Sequence, residues 1–209
     1  MARTRGRRAG GLDTREAIIE EARRQFGGTG YAATTLRGVA AGADVDPRLV
    51  LHYFGSKKGL FAAALSLPVH PAVIVAAVLA GEGIAGGEDL GTRAARQILR
   101  VLDNPEARLA IIGNVRAAVE DPEAAGVVRD LLSERLLLPI ARGIGVDHPE
   151  LRAALMASQV IGLVIARYVV AIEPLASVGD EQLLRALAGT LTGYLTGTWA
   201  QAAEGPSGG

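Results

Sequence analysis

The stretch TTLRGVAAGADVDPRLVLHYFGSK, residues 34–57, has the pattern of two short helices joined by a tight turn. Thr34 or Thr35 is placed to cap the first helix, whose apolar residues recur at helical spacing. Asp44 lies where that helix ends, and aspartate tolerates the left-handed conformation that such an end often requires. Asp46 and the proline after it then start a second helix, because the carboxylate can accept a first-turn N–H and proline fits the first helical position. The stretch therefore predicts a helix-turn-helix unit.

The second helix is predicted to bury one face and expose the other. Val50 and Phe54 are i, i+4 neighbours that can pack on the first helix, and the opposite face carries no acidic residue. In a DNA major groove, basic, histidine and tyrosine side chains on that face can bind base edges or phosphates. Alternatively, His52 and Tyr53 are ordinary surface residues beside an apolar corner. The predicted DNA-binding residues are Thr35, Arg37, Pro47, Arg48, Leu49, His52, Tyr53 and Lys57.

Residues 14–65 resemble the N-terminal domain of TetR-family transcriptional repressors. The matching residues are Phe26, Gly30, Tyr31, Thr34, Thr35, Val39, Ala40, Ala43, Val45, Val50, His52 to Lys57, Leu60 and Phe61. Asp44 departs from the glycine that is usual in the turn, and Leu51 lies where the family often has an aromatic or polar DNA-contacting residue. The resemblance implies an all-α fold with an N-terminal three-helix, homeodomain-like DNA-binding domain and a C-terminal helical domain for effector binding and dimerisation.

Composition and charge agree with a globular DNA-binding protein. The chain has 209 residues, 49% of them apolar, and a mean hydropathy of +0.26, which exclude a disordered chain. Residues 1–66 carry eleven basic and six acidic side chains, a net charge of +5, and the remainder carries −5 because the whole chain is neutral. The positively charged N-terminal third of the chain is therefore suited to binding a polyanion. The absence of cysteine excludes disulfides and thiolate sites and fits a cytoplasmic location.

Four segments are predicted along the chain. Residues 1–12 form a disordered basic arm, 13–67 the DNA-binding domain, 68–203 the helical effector-binding and dimerisation domain, and 204–209 a disordered tail. The arm either enters the minor groove and tracks phosphates or is a solubilising tail. Its candidate DNA-binding residues are Arg3, Arg5, Arg7 and Arg8.

Every segment outside the arm, tail and loops is predicted to be helical. A capping box at residues 13–16 opens the first helix, which ends at Gly27 and Gly28, and Ser56 caps a fourth helix that runs to about Leu67. Four Asn-, Asp-, His- or Glu-Pro pairs punctuate the rest. The further predicted helices are residues 71–80, 89–102, 105–119, 122–144, 149–172 and 180–201.

The segment 160–172 is apolar almost all round but is too short to cross a bilayer and contains Arg167. We expect no membrane association and a buried helix, lying either between its own core and a partner subunit or at the centre of a monomeric bundle. One helix-turn-helix reads few base pairs, which favours a homodimer on a palindromic operator. The predicted dimer-interface residues are Leu151, Leu155, Gly162, Leu163, Ala166, Leu187, Leu191, Tyr194 and Leu195.

Catalytic and metal-binding patterns are missing from the sequence. The three histidines lie far apart, and we find neither a useful acid pair nor a phosphate-binding glycine loop, so we expect no enzyme, no metal and no cofactor. Polar residues embedded in apolar helices suggest a site for a small hydrophobic effector. These candidate ligand-binding residues are Asn114, Arg116, Gln159, Arg167 and Tyr168.

Three functions are compatible with these features. The preferred one is a ligand-responsive transcriptional repressor that binds a double-stranded DNA operator and is released by its effector. The second is a regulator of the same fold that no small molecule controls. The third is a helical enzyme or scaffold.

Overall fold

The computed structural model describes residues 11–65, 70–80 and 87–198, and over these residues it is all-helical, which confirms the predicted fold class. Two π-helical segments, Asp130–Leu137 and Ile165–Val169, continue the helices before them. The α-helices are α1 Gly11–Ala33, α2 Leu36–Gly42, α3 Pro47–Phe54, α4 Lys57–Ala64, α5 Pro71–Leu79, α6 Leu90–Asp103, α7 Pro105–Glu120, α8 Pro122–Arg129, α9 Leu138–Gly143, α10 Pro149–Val164 and α11 Asp180–Thr196.

The chain forms two compact units that differ from the predicted contiguous domains. Unit 1 combines Met1–His70 with Val101–Leu132, and unit 2 combines Pro71–Arg100 with Ser133–Gly209. The predicted second domain, 68–203, therefore contains two helices, α7 and α8, that pack with the N-terminal helices. Helices α7 and α1 are in contact through glycines, since a Cβ at Gly113 of α7 would lie at the ordinary van der Waals distance of 3.6 Å from the Cα of Gly27 in α1. Helical periodicity alone does not reveal which partner such a face will meet.

Helix α1 is longer at both ends than predicted. It begins at Gly11, so that Asp13 lies inside the helix, and it continues through Gly27 and Gly28. The break comes at Gly30, which has φ +83° and ψ 170°. That backbone conformation is accessible to glycine and strained for other residues. The regular helix is therefore interrupted at Gly30 and not at Gly27 and Gly28.

Unit 1 has a core in which the first four helices and α8 meet. Phe26, Tyr31 and Phe61 form an aromatic cluster, with ring centroids 4.9 Å apart for Phe26 and Phe61 and 4.8 Å apart for Tyr31 and Phe61. The edge-to-face geometry of both pairs is a favoured one for aromatic rings. Val39 and Val50 of α2 and α3 are fully buried in the same core. The aromatic cluster therefore anchors the helix-turn-helix.

Unit 2 contains a buried arginine near the start of α10. Arg152 has 1% of its surface exposed, and its guanidinium donates to the carbonyl oxygens of Asp147 at 2.7 Å, Tyr194 at 2.7 Å and Gly197 at 2.9 Å. It also pairs with the Asp147 carboxylate. A buried cation needs such acceptors, so Arg152 ties the end of α11 to the start of α10.

The α10 helix with its π-helical extension, Pro149–Val169, is long and apolar enough to cross a membrane by length and composition alone. Its two arginines, Arg152 and Arg167, both donate hydrogen bonds to backbone oxygens within unit 2. Within a single chain the segment 160–172 is not buried on every side, which contradicts the prediction of a helix at the centre of a monomeric bundle, whereas burial against a partner subunit stays a prediction. Leu163 and Val164 are buried, but Val169, Val170 and Ile172 are 50%, 60% and 51% exposed, because the regular helix ends before them.

Helices α6 and α11 approach closely at Gly91. A Cβ there would lie 2.5 Å from the carbonyl oxygen of Ala188 and 2.5 Å from the backbone nitrogen of Thr192. We predict that Gly91→Ala destabilises the protein by about 1–3 kcal/mol, because backbone atoms cannot yield as a flexible side chain does. Chemical denaturation measures the loss.

The matched control is Gly126→Ala in α8, where the added Cβ meets nothing within 4 Å. We expect it to be neutral or stabilising by up to about 1 kcal/mol, since alanine is the better helix former. Equal stability of the two variants would contradict the close approach at Gly91.

Candidate nucleic-acid interface

The first helix of the helix-turn-helix begins at a side-chain cap. Thr35 Oγ1 accepts a hydrogen bond from the Gly38 N–H at 3.0 Å. Thr34 is instead buried, and its hydroxyl donates to the Gly30 carbonyl at 2.8 Å. Of the two predicted capping residues, Thr35 therefore caps α2, and Thr34 fastens the end of α1.

The turn between α2 and α3 is closed by backbone and side-chain hydrogen bonds. Asp44 adopts the left-handed conformation with φ +55°, and the Val45 N–H donates to the Ala40 carbonyl at 3.0 Å. The Asp46 carboxylate accepts from the Arg48 N–H at 2.7 Å, and Pro47 is the first residue of α3. Aspartate thus replaces glycine at the turn without loss of the geometry, because its short polar side chain tolerates this conformation.

Helix α3 is anchored by one face and exposed on the other. Val50 is fully buried, whereas Arg48, Leu49 and His52 are exposed and Tyr53 is half-buried. Leu51 is 53% exposed, so an apolar side chain lies at the position where the resemblance implies a polar or aromatic one. No acidic residue lies within α3, although Asp44 and Asp46 are exposed in the preceding turn.

Two of the predicted DNA-binding residues carry exposed positive charges that are available to a ligand. The guanidinium groups of Arg37 in α2 and Arg48 in α3 are exposed, and neither makes a hydrogen bond or ion pair with any of the residues that the structure describes. Guanidinium groups recognise guanine edges and phosphates through paired N–H donors. Arg37 and Arg48 are therefore the strongest chemical candidates for contact with DNA.

Lys57 differs from its predicted role as a simple phosphate clamp. Its ammonium donates to the Ala32 carbonyl at 3.1 Å and lies 4.4 Å from the centroid of the Tyr31 ring. A cation over an aromatic face adds to stability. Lys57 therefore fastens α4 to the end of α1, and any contact with a phosphate would add to this structural role.

Arg15 is a neighbour of α3 that the sequence pattern does not predict. Its guanidinium carbon lies 5.4 Å from the centroid of the Phe54 ring, at the end of α3. Sequence periodicity gave no signal for this pair, because the contact depends on how α1 crosses α3. The predicted arm residues Arg3, Arg5, Arg7 and Arg8 lie outside the described residues.

The predicted dimer-interface residues fall into two groups in unit 2. Leu151 and Gly162 are exposed, and Leu155, Ala166 and Tyr194 are half-buried. The others are buried within the chain itself, which corrects their assignment to an interface, because side chains that already pack in a subunit cannot also meet a partner. These core residues are Leu163, Leu187, Leu191 and Leu195.

The five candidate ligand-binding residues are divided between the units. Asn114 and Arg116 belong to unit 1, where Arg116 is exposed, and the other three belong to unit 2. The Arg167 guanidinium donates to the carbonyl oxygens of Leu175 at 2.6 Å and Val178 at 3.0 Å, and this leaves only its buried Nε without a partner. Arg167 therefore closes its own loop, which argues against its predicted role as the anchor of a ligand carboxylate.

Metal-ligating side chains do not cluster in the described part of the chain, where no group of three His, Asp or Glu side chains is placed to hold an ion. The carboxylate of Asp89 has structural partners instead, since it accepts hydrogen bonds from Thr92 and Thr192 that lower its pKa.

Comparisons with known proteins identify the family. The family model for bacterial regulatory proteins of the tetR family matches residues 18–64, and that for the tetracyclin repressor-like C-terminal domain matches residues 88–195. A search of curated proteins gives no significant match. The matched residues include the whole helix-turn-helix and the helices α6 to α10.

Solved structures agree with these models. A TetR-family regulator from Streptomyces coelicolor A3 is 34% identical, with a TM-score of 0.61 over 92% of this chain and 99% of that one. Salmonella enterica GusR, at 18% identity and a TM-score of 0.63, covers 90% of this chain and 97% of its own. The multidrug binding protein EbrR, solved with imidazole, is 21% identical, with a TM-score of 0.56 over 84% of this chain and 93% of its own. The last two show a shared fold, and the first, with the family models, shows that this chain belongs to the TetR family of transcriptional regulators.

Proposed function

We propose that the protein is a ligand-responsive repressor that binds a palindromic operator as a homodimer and is released by a small hydrophobic effector. The observation that carries the DNA-binding part is the exposed, acid-free face of α3, held in place by the buried Val50. A helix of this kind fits the major groove, where its N-terminal residues meet base edges. The basic arm, with its four arginines, is a second proposed contact, to phosphates or the minor groove.

Arg48 is the residue proposed to read a base. We predict that Arg48→Ala weakens operator binding by about 1–3 kcal/mol and relaxes base preference, because a bidentate contact to a guanine edge is lost. Gel-shift titration on DNA from upstream of the protein's own gene, followed by selection from randomised DNA, measures both effects.

The control for Arg48 is Arg100→Ala, which removes the same charge from an exposed side chain of α6 in unit 2. We expect Arg100→Ala to leave base preference unchanged. If Arg48→Ala binds the same DNA with the same affinity and preference as the wild type, α3 is not the recognition helix.

The homodimer is proposed to form through small residues on α10 and α11. Exposed positions recur at helical spacing on both helices, at Ala154, Ser158 and Gly162 and at Gly189 and Gly193. A Cβ added at any of the three glycines would meet nothing within 4 Å in the chain. Faces of this kind allow the backbones of two copies to approach closely, and a two-fold axis would place two α3 helices on a palindrome.

Gly193 tests the dimer without disturbing the subunit core. We predict that Gly193→Arg lowers the mass measured by light scattering from two chains to one, because the large cation fits the open space of a single chain but not a close interface. Gly28→Arg is the matched control, since Gly28 is also an exposed helical glycine with open space around it. A mass of one chain for the wild type, or of two chains for Gly193→Arg, would rule out this interface.

The proposed effector response rests on the family and on polar groups in unit 2. EbrR has been solved in complex with ethidium, a hydrophobic cation. In this chain, Gln159 and Tyr168 are half-buried on apolar helical segments and are the candidates that we retain in unit 2. A mostly apolar site with a few polar groups is the usual composition of a small-molecule pocket.

Calorimetry with ethidium and other hydrophobic compounds tests the effector response. We predict that an effector present at one hundred times its Kd stabilises the protein by about 2.7 kcal/mol and releases operator DNA. Gln159→Leu should reduce this stabilisation, whereas Gln182→Leu, the same change at an exposed position of α11, should not. If no compound stabilises the protein although it still binds its operator, the proposed effector response is wrong. The protein would then be a regulator of the same fold that no small molecule controls.

A further inference from the structure

Tyr31 lies where α1, α4 and α8 meet in unit 1. It is 2% exposed, and its ring stacks on Phe26 at 5.6 Å and meets Phe61 edge-on at 4.8 Å between centroids. The positive φ of Gly30 turns the chain immediately before it. Tyr31 is therefore fixed by packing on its faces, and only its hydroxyl needs a polar partner.

The hydroxyl of Tyr31 donates to the carboxylate of Glu123, 92 positions further along the chain. Burial, aided by this hydrogen bond, raises the pKa of Tyr31, so that the hydroxyl stays protonated and remains a donor. Glu123 itself lies in the first turn of α8, where the Asp121 carboxylate accepts from the Glu123 N–H at 2.8 Å and the Ala124 N–H at 3.1 Å. The acceptor for Tyr31 is thus part of a well-capped helix end.

The ring of Tyr31 also carries the ammonium of Lys57, the first residue of α4. The connection from the end of α3 at Phe54 to Lys57 consists of Gly55, with φ +71°, and Ser56, whose hydroxyl accepts from the Gly59 N–H at 3.0 Å. A connection this short and this well bonded transmits a displacement of α4 to α3. Glu123, Tyr31, Lys57 and α3 therefore form one continuous set of contacts.

We propose that Glu123 is a positioning residue for DNA recognition, which through Tyr31 and Lys57 holds the recognition helix α3 in its reading orientation. This inference rests on the proposed DNA-binding function. The positioning role is distinguished from simple charge repulsion by the direction in which removal of the acidic side chain changes DNA affinity. Removing an acidic side chain from a DNA-binding protein ordinarily strengthens binding, because repulsion of phosphates falls. Removing Glu123 weakens it, because the loss of position outweighs the loss of repulsion.

The test compares the operator affinities of Glu123→Ala, Glu123→Gln, Tyr31→Phe and the double variant Glu123→Ala with Tyr31→Phe. We expect Glu123→Ala to weaken binding about two- to tenfold, the range that corresponds to one hydrogen bond. Glu123→Gln restores affinity, since its amide oxygen still accepts from Tyr31. The double variant is no weaker than Glu123→Ala alone, because both changes remove the same contact.

The matched control is Glu120→Ala, which removes the same charge from the exposed end of α7, three residues before Glu123. We expect it to bind DNA as tightly as the wild type or more tightly. All titrations are made well below the melting temperature of each variant, so that a loss of stability alone leaves affinity unchanged.

Unchanged or tighter operator binding by Glu123→Ala, as for Glu120→Ala, would overturn the positioning role while the wild type still binds. Additive losses in the double variant would also overturn it, since the two groups would then act separately. Failure of the wild type to bind DNA would instead refute the proposed function itself, and no effect of Arg48→Ala would refute the assignment of α3 as the recognition helix.

Discussion

The burial of three aromatic rings between α1 and α4 is the packing interaction on which the DNA-reading geometry depends. Phe26 and Tyr31 lie on either side of the break at Gly30 in α1, Phe61 lies in α4, and each is at least 95% buried. Their contacts fix α4 against α1, and α2 and α3 pack on the same core through Val39 and Val50. The exposed face of α3 thus has a defined direction because the side chains behind it are closely packed.

The composition of unit 1 changes how the DNA-binding part of the protein is understood. Helices α7 and α8 lie beyond the residues that resemble the DNA-binding domain, yet α7 packs along α1 and α8 packs on α4. Sequence families are defined by contiguous segments, whereas cooperative packing follows contacts in space. A displacement of α7 or α8 would therefore occur within the same packed unit as α3.

The sequence predicted the helices and the helix-turn-helix well because their signals are local. Caps at Thr35, Asp46 and Ser56 and the stop at Asp44 depend on neighbouring backbone groups, and all four occur in the structure. The exposed side of α3 followed from the predicted packing of Val50 and Phe54 on the first helix.

Features that depend on tertiary packing were not predictable in the same way. Four leucines, including Leu191, were assigned to an interface because periodicity marks an apolar face without saying whether it meets its own chain or another. The break at Gly30 rather than Gly27, the partners of Lys57 and the loop closure by Arg167 each depend on residues distant in sequence or on a single backbone angle. Periodicity carries no information about any of them.

The acceptors of Arg152 set a lower limit to the length of a foldable fragment. The Arg152 guanidinium donates hydrogen bonds to the backbone oxygens of Tyr194 and Gly197, at the end of α11, and to that of Asp147. A chain that stops soon after Gly197 keeps these acceptors, whereas one that stops before Tyr194 loses two of the backbone oxygens to which the guanidinium donates, at a cost of about 1.5–3 kcal/mol for each hydrogen bond to a charged group. A C-terminal affinity tag or fusion partner therefore belongs beyond Gly197, because shortening α11 removes these acceptors.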